Sequence, residues 1–321
     1  MRKFISYMLI GMLSMFYAEI LSGASQLWYL NPFGVFYTLP LYLLHTIILM
    51  NIALRLKRTK LYQLYIFGMI FSLYEAVITK VLWAGYMNES GPAFGPWLGI
   101  APLEFIILVF FWHPIFSFIL PILTYEWITS KILENHQRVF ERMKKHMGHI
   151  LIGIIIVSSF VANGNQYDLM SGNLAPFGTL LIIFILVLLS KKKLIPLTEL
   201  EKIPKLMYVI LMIIYLFGGI VLVPERFPSE LISYIMIIGF YVLFFLMLRL
   251  SRKTSDELIP LNHTFNYKHL TVAILCFFLC INLSIIFSSI SSVILMISYW
   301  GMALVGLIIF FLVIVKLIRH K

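Results

Sequence analysis

Apolar runs of about 18 residues or more recur along this chain from one end to the other. Each run is long enough to cross a hydrocarbon core of about 30 Å as an α-helix. The longest polar stretch between them, residues 131–147, is too short to fold as a soluble domain. The sequence therefore predicts one continuous membrane domain.

The apolar runs predict an all-α, polytopic integral membrane protein with about ten transmembrane helices. Only 12% of the residues are charged, which is about half the share found in soluble domains. The predicted helices cover residues 4–22, 34–55, 61–84, 98–128, 148–163, 174–190, 205–223, 229–250, 269–288 and 291–316.

The basic residues predict how the chain is oriented. Most of the 25 lysines and arginines lie in or beside alternate connections, such as "RLKRTK" at 55–60, whereas the intervening connections carry only Arg226. Because basic loops stay on the cytoplasmic side, this alternation places both termini in the cytoplasm of a plasma membrane. The net charge of +11 could attract either nucleic acid or anionic lipid headgroups. The same distribution favours contact with lipid headgroups at the cytoplasmic face and argues against nucleic acid.

Ionisable residues divide the predicted membrane domain into regions. Residues 1–130 form a four-helix region that bears the polar site, residues 131–147 form a cytoplasmic basic loop, and residues 148–321 form a six-helix apolar region. The last region holds almost no ionisable residue at mid-depth, so we interpret it as a lipid-facing scaffold or as a module that braces the first four helices.

Three carboxylates lie inside the first four predicted helices, at Glu19, Glu75 and Glu104. A rise of about 1.5 Å per residue places all three roughly 8–10 Å below the outer surface. A charge at the bilayer centre costs about 2.5–3.5 kcal/mol, so these side chains should face the bundle interior or an outward-open aqueous cavity. There they would bind substrate or protons, or would form structural hydrogen bonds between helices.

Three further ionisable residues accompany the glutamates. Lys80 is predicted either to extend its ammonium to the outer interface or to pair with Glu19 or Glu104. His113 and His45 are predicted to form a second, deeper layer near mid-membrane. The alternative for His45 is a role in packing, and the alternative for His113 is a hydrogen bond between helices.

The fourth predicted helix carries three prolines, Pro102, Pro114 and Pro121. Each proline removes an N–H and can kink a helix. The stretch "FFWHPIFSFILP" therefore predicts a broken helix with His113 at the break, a feature that often lines the substrate path of transporters.

No motif for a metal, nucleotide or catalytic triad occurs, so the cofactor is unknown. The stretches "AEILSGASQLWYLNPF", "YEAVITKVLW" and "HPIFSFILPILTYE" resemble an uncharacterised family of prokaryotic polytopic membrane proteins over about residues 18–126. This resemblance implies a multi-pass membrane fold and carries no activity.

The leading hypothesis is a transporter or permease-like protein whose outward-facing glutamate cluster couples protonation to substrate movement. The alternatives are an intramembrane enzyme acting on a lipid or lipid-linked substrate in the outer leaflet, and a non-catalytic subunit of a membrane complex. The partners are accordingly the bilayer and a small molecule or lipid substrate.

Overall fold

The computed structural model describes residues 2–86, 91–145, 147–190, 193–261 and 267–319, and these residues are mainly helical. In chain order the helices are α1 (Arg2–Ile20), α2 (Gly34–Arg55), α3 (Leu61–Thr79), α4 (Pro102–Thr129), α5 (Gln137–Lys145), α6 (Met147–Gly164), α7 (Leu169–Leu189), α8 (Lys205–Val221), α9 (Leu231–Leu250), α10 (Tyr267–Ile286) and α11 (Ser288–Arg319). A short antiparallel ribbon pairs β1 (Lys131–Leu133) with β2 (Leu258–Pro260).

Seven helices of the described segments are long and apolar enough to cross a membrane, namely α1, α2, α3, α4, α7, α9 and α11. The helices α6, α8 and α10 contain shorter apolar stretches. The expected all-α, multi-pass membrane architecture is confirmed. The count of ten crossings and the cytoplasmic position of the termini stay predictions.

Large apolar side chains cover the exposed faces of several of these helices. Examples are Leu181, Phe184 and Leu188 on α7, Ile235, Ile238 and Phe245 on α9, and Leu304, Phe311 and Ile318 on α11. So many exposed large apolar side chains would be unfavourable in water, so these faces are suited to contact with lipid.

The third predicted helix ends earlier than expected, because the chain leaves the helical conformation at Lys80. This residue has a left-handed backbone with φ of 59° and follows the last helical residue, Thr79. A single further turn, Val81–Ala84, then ends at Gly85. The predicted helix over 61–84 is therefore a helix and a separate turn.

Helix α4 continues through its prolines by a change of helical geometry. It is α-helical over Pro102–Ile107, π-helical over Leu108–Ile119 and α-helical again over Leu120–Thr129. Pro102 is the first helical residue, where a missing N–H leaves no hydrogen bond unmade. The predicted break at His113 was therefore wrong, because the helix continues through this residue in π-helical geometry, a form of backbone that is common at functional sites.

The chain forms two compact units that alternate along the sequence. The first comprises Met1–Ile47, Leu120–Leu200 and Ser255–Trp300, and the second comprises Ile48–Ile119, Glu201–Thr254 and Gly301–Lys321. In the first unit α1 packs on α7, and α6 packs on α10. In the second unit α3 packs on the π-helical stretch of α4, on α8 and on α9, and α3 is buried along most of its length. The division into regions 1–130, 131–147 and 148–321 rests on where the ionisable residues lie in the sequence, and it stays a prediction.

Candidate functional site

Helices α3 and α4 approach closely because Gly68 faces the backbone of Pro114. A Cβ atom at position 68 would lie 2.4 Å from the Cα of Pro114, a distance that side chains do not tolerate. The glycine therefore lets two helix backbones meet where a larger residue would separate them. Two turns further along α3, the same packing brings Glu75 to His113.

Glu75 and His113 form a direct contact between α3 and α4. The Glu75 Oε2 atom lies 3.1 Å from the His113 Nε2 atom, and the two side chains are 11% and 5% exposed. The ring of Phe71 lies against the imidazole, with 5.7 Å between the ring centroids. Side chains lean toward the N-terminus of their own helix, so residues at different heights on antiparallel helices can meet.

The imidazole of His113 has a second polar neighbour. Its Nδ1 atom lies 2.7 Å from the Oγ atom of Ser117, a completely buried residue. Glu75, His113 and Ser117 thus form a row of carboxylate, imidazole and hydroxyl, which we call the polar row. A protonated imidazole can donate to both neighbours, and a neutral one can donate to one and accept from the other. The hydrogen-bond partners of the row therefore suit either charge state of the imidazole.

Glu75 and His113 are predicted to lie at different depths, and their side chains nevertheless meet. The backbone of Pro114 faces Gly68, which precedes Glu75 by seven residues, or roughly 10 Å of helix. The two layers stay a prediction, and the side chains of α3 and α4 reach across the distance between them.

Glu104 lies in the first turn of α4 and is completely buried. Its Oε1 atom accepts a hydrogen bond of 2.8 Å from the backbone N–H of Ala93. Its Oε2 atom has no hydrogen-bond partner within the described part of the chain. A helix N-terminus favours a carboxylate, which accounts for the position but leaves one oxygen available to a proton or a ligand.

Glu19 lies in the first compact unit, whereas Glu75 and Glu104 lie in the second. It is half-buried at the π-helical end of α1, Phe16–Ile20. Its Oε2 atom accepts a hydrogen bond of 2.6 Å from the Ser25 hydroxyl, and its Oε1 atom accepts one from the hydroxyl of Tyr42 on α2. The convergence of three glutamates stays a prediction.

His45, also in the first unit, is buried on α2. Its Nδ1 atom lies 2.9 Å from the carbonyl oxygen of Leu41, one turn earlier in the same helix. This contact is of a kind that holds a buried histidine in place, and the choice between packing and a functional role for His45 stays a prediction.

The structure uses Lys80 differently from both predicted alternatives. Its ammonium is buried and donates to the carbonyls of Gly218, Gly219 and Leu222, with 2.8 Å to Gly219 and 3.4 Å to Gly218. These carbonyls lie at the end of α8, where a cation is favoured, and the Gly218 carbonyl also accepts from the backbone N–H of Leu222. The ring of Phe227 also lies 4.5 Å from the ammonium.

Sequence reasoning missed Ser117 and a second carboxylate–imidazole pair, Glu126 with His136. Both residues of that pair are completely buried, and the Nδ1 and Oε2 atoms are 2.7 Å apart. The Glu126 Oε1 atom also accepts a hydrogen bond of 2.8 Å from the N–H of Leu133. The pair ties the end of α4 to the following connection. An i, i+4 spacing of His and Ser is a usable signal for Ser117, but the Glu126–His136 pair depends on a turn that the sequence does not predict.

Comparison with known proteins gives the affiliation of the chain. Residues 8–320 match the model of a family described as an uncharacterized membrane protein family. A relative described as an uncharacterized protein from Archaeoglobus fulgidus is 32% identical over 267 residues, which cover 79% of this chain and 82% of that protein. No solved structure matches the chain. The chain therefore belongs to this family of membrane proteins.

Proposed function

We propose that this protein is a transporter or permease-like protein of the plasma membrane that couples substrate movement to protonation. In this proposal ten helices cross the membrane and both termini are cytoplasmic. The observation that carries it is the contact between Glu75 and His113 inside an apolar helix pair.

A carboxylate and an imidazole are costly to bury among membrane helices, and such residues usually belong to a functional site. An imidazole can bind and release a proton, and the Glu75 carboxylate lies beside it as an immediate acceptor. The pair could therefore alternate between a protonated and a deprotonated state during each transport cycle.

The π-helical stretch that carries His113 also favours a transport function. Irregular helices in transporters often line the path of the substrate. A π-helical stretch can change its hydrogen bonds locally, so the imidazole could move relative to Glu75 without unfolding α4.

In this proposal Glu104 belongs to the outer part of the route within the second compact unit, and Glu19 is a candidate proton-binding residue of the first. Glu104 offers a buried oxygen with no hydrogen-bond partner in the described segments, and Glu19 lies at a π-helical end. Lys80 and His45 contribute less to the proposal, because both contact backbone carbonyls.

The test uses proteoliposomes that contain a pH-sensitive dye and carry an outside-acidic pH gradient. A panel of amino acids, sugars, nucleosides, organic acids and monovalent cations is added outside. We expect one class to accelerate internal acidification with the wild type. We expect Glu75→Gln and His113→Gln to abolish this effect equally, because they remove two ends of one contact.

Glu134→Gln is the matched control, since Glu134 is an exposed carboxylate outside the polar row. It should transport like the wild type. Full solute-dependent acidification in either Glu75→Gln or His113→Gln would contradict the proposal.

A second candidate is an intramembrane enzyme that acts on a lipid or lipid-linked substrate in the outer leaflet. The Glu104 Oε2 atom, which has no hydrogen-bond partner among the described residues, favours it, because a buried carboxyl group with an available oxygen can act as a general acid. Here Glu104→Gln should abolish turnover of a membrane lipid extract, measured by mass spectrometry. His113→Gln should leave turnover intact, which is the reverse of the ranking expected for transport.

A further inference from the structure

The second compact unit contains an apolar groove of about 290 Å³. The start of α3, the π-helical stretch of α4 and the last turns of α11 form its walls. Tyr65, Ile119 and Ile309 are among the side chains that line it, and Lys316 lies at one end. We call this the Lys316 groove.

Cations surround the end of the groove at which Lys316 lies. The Lys316 ammonium is 4.5 Å from the ring centroid of Tyr62. Lys60, the residue before α3, is close enough to interact electrostatically with Lys316. Arg58 and Arg252 are both close enough to the hydroxyl of Tyr62 to interact with it electrostatically.

No carboxylate in the described segments forms an ion pair with any of these four cations. One guanidinium nitrogen of Arg58, Nη1, also has no hydrogen-bond acceptor there. Like charges that lie close together destabilise one another unless an anion is placed between them. Among the described residues, the rim of the groove therefore carries positive charge that no ion pair compensates.

We propose that the Lys316 groove binds one anionic phospholipid, with an acyl chain along the apolar wall and the phosphate between Lys316 and Lys60. A molecule that fits must be apolar at one end and negatively charged at the other. It must also reach a site at the ends of membrane helices, and an anionic phospholipid meets all three conditions. Basic pockets between membrane helices recognise such headgroups in this way.

The position of the groove agrees with the predicted topology. Lys60 and Arg58 belong to the basic connection that precedes α3, and Arg252 belongs to the one that follows α9. The charge alternation assigns both connections to the cytoplasmic side, whose leaflet carries the anionic lipids. This inference is independent of the polar row and of the proposed transport.

Native mass spectrometry of the purified full chain tests the proposal. The protein is held in micelles that contain equal amounts of dioleoylphosphatidylglycerol and dioleoylphosphatidylcholine. We expect the wild type to retain one phosphatidylglycerol in preference to phosphatidylcholine. Lys316→Gln should bind it about fivefold more weakly, as expected for the loss of one lysine near a headgroup.

Two further variants separate charge from shape. Arg319→Gln removes a cation from the same helix end but not from the groove lining, so it should bind phosphatidylglycerol like the wild type. Ile309→Trp fills the groove and leaves every cation in place, so it should also lose the lipid. Equal retention by Lys316→Gln and Arg319→Gln would overturn the proposal, and so would equal retention of the two lipids by the wild type.

Discussion

Glu75 and His113 belong to different helices, yet the Glu75 Oε2 atom and the His113 Nε2 atom are 3.1 Å apart. The imidazole continues this contact to the Ser117 hydroxyl at 2.7 Å. A single histidine therefore connects a carboxylate of α3 to a hydroxyl of α4. The consequences of this contact and of three others can be measured.

Loss of either partner of the Glu75–His113 contact should destabilise the fold. We expect Glu75→Gln and His113→Gln each to lower the free energy of unfolding by about 1–3 kcal/mol, since each leaves a buried polar group poorly satisfied. The double variant should cost less than the sum, with a coupling energy of about 0.5–3 kcal/mol. Unfolding by dodecyl sulfate in mixed micelles gives these values. Additive losses would mean that the two side chains do not stabilise one another.

Gly68→Ala should separate α3 from α4. A Cβ atom at 68 meets the Pro114 backbone at 2.4 Å, and overpacking of this kind costs about 1–3 kcal/mol. Gly239→Ala on α9 is the control, because no atom lies within 4 Å of its added Cβ. It should leave the midpoint of thermal unfolding unchanged or raise it. Equal midpoints for the two variants would contradict the close approach.

Lys80→Met should destabilise the end of α8. The substitution keeps the length of the side chain but removes the ammonium that donates to Gly218, Gly219 and Leu222. We expect a loss of about 1–3 kcal/mol, because the buried and half-buried carbonyls at the end of α8 lose the ammonium as a donor. Lys57→Met is the control, since Lys57 has a similar left-handed φ of 53° but is exposed. The midpoints of thermal unfolding in detergent are compared for the two variants. Equal midpoints would show that the Lys80 ammonium does not stabilise the end of α8.

Glu126→Gln should loosen the connection that begins at residue 131. The Glu126 carboxylate holds both the His136 imidazole and the N–H of Leu133. A glutamine retains one acceptor and loses the charge, so the segment should open more often. Trypsin should then cleave faster after Arg138 and Arg142 than in the wild type. Glu141→Gln, at an exposed position on α5, serves as the control and should leave the cleavage rate unchanged.

The architecture was accessible from the sequence because it depends on composition and length. Each predicted span overlaps an apolar helix of the structure, and the family assignment agrees with the resemblance found over residues 18–126. The arrangement of the site could be predicted from the sequence only in part. Glu75 and His113 were both identified as candidates, but their contact was not, because a residue count along each helix does not show which residues of a neighbouring helix a side chain reaches.

The sequence by itself determined that this protein is a multi-pass helical membrane protein, because long apolar runs have no other stable environment. It also marked the costly polar residues within those runs. Only the tertiary structure decided their partners. Gly68 lets α3 reach Pro114, Lys80 is directed to the end of α8, and His113 reaches Glu75. Such pairings depend on how closely two helices approach and on where each begins, and neither quantity is contained in the residue pattern of one helix.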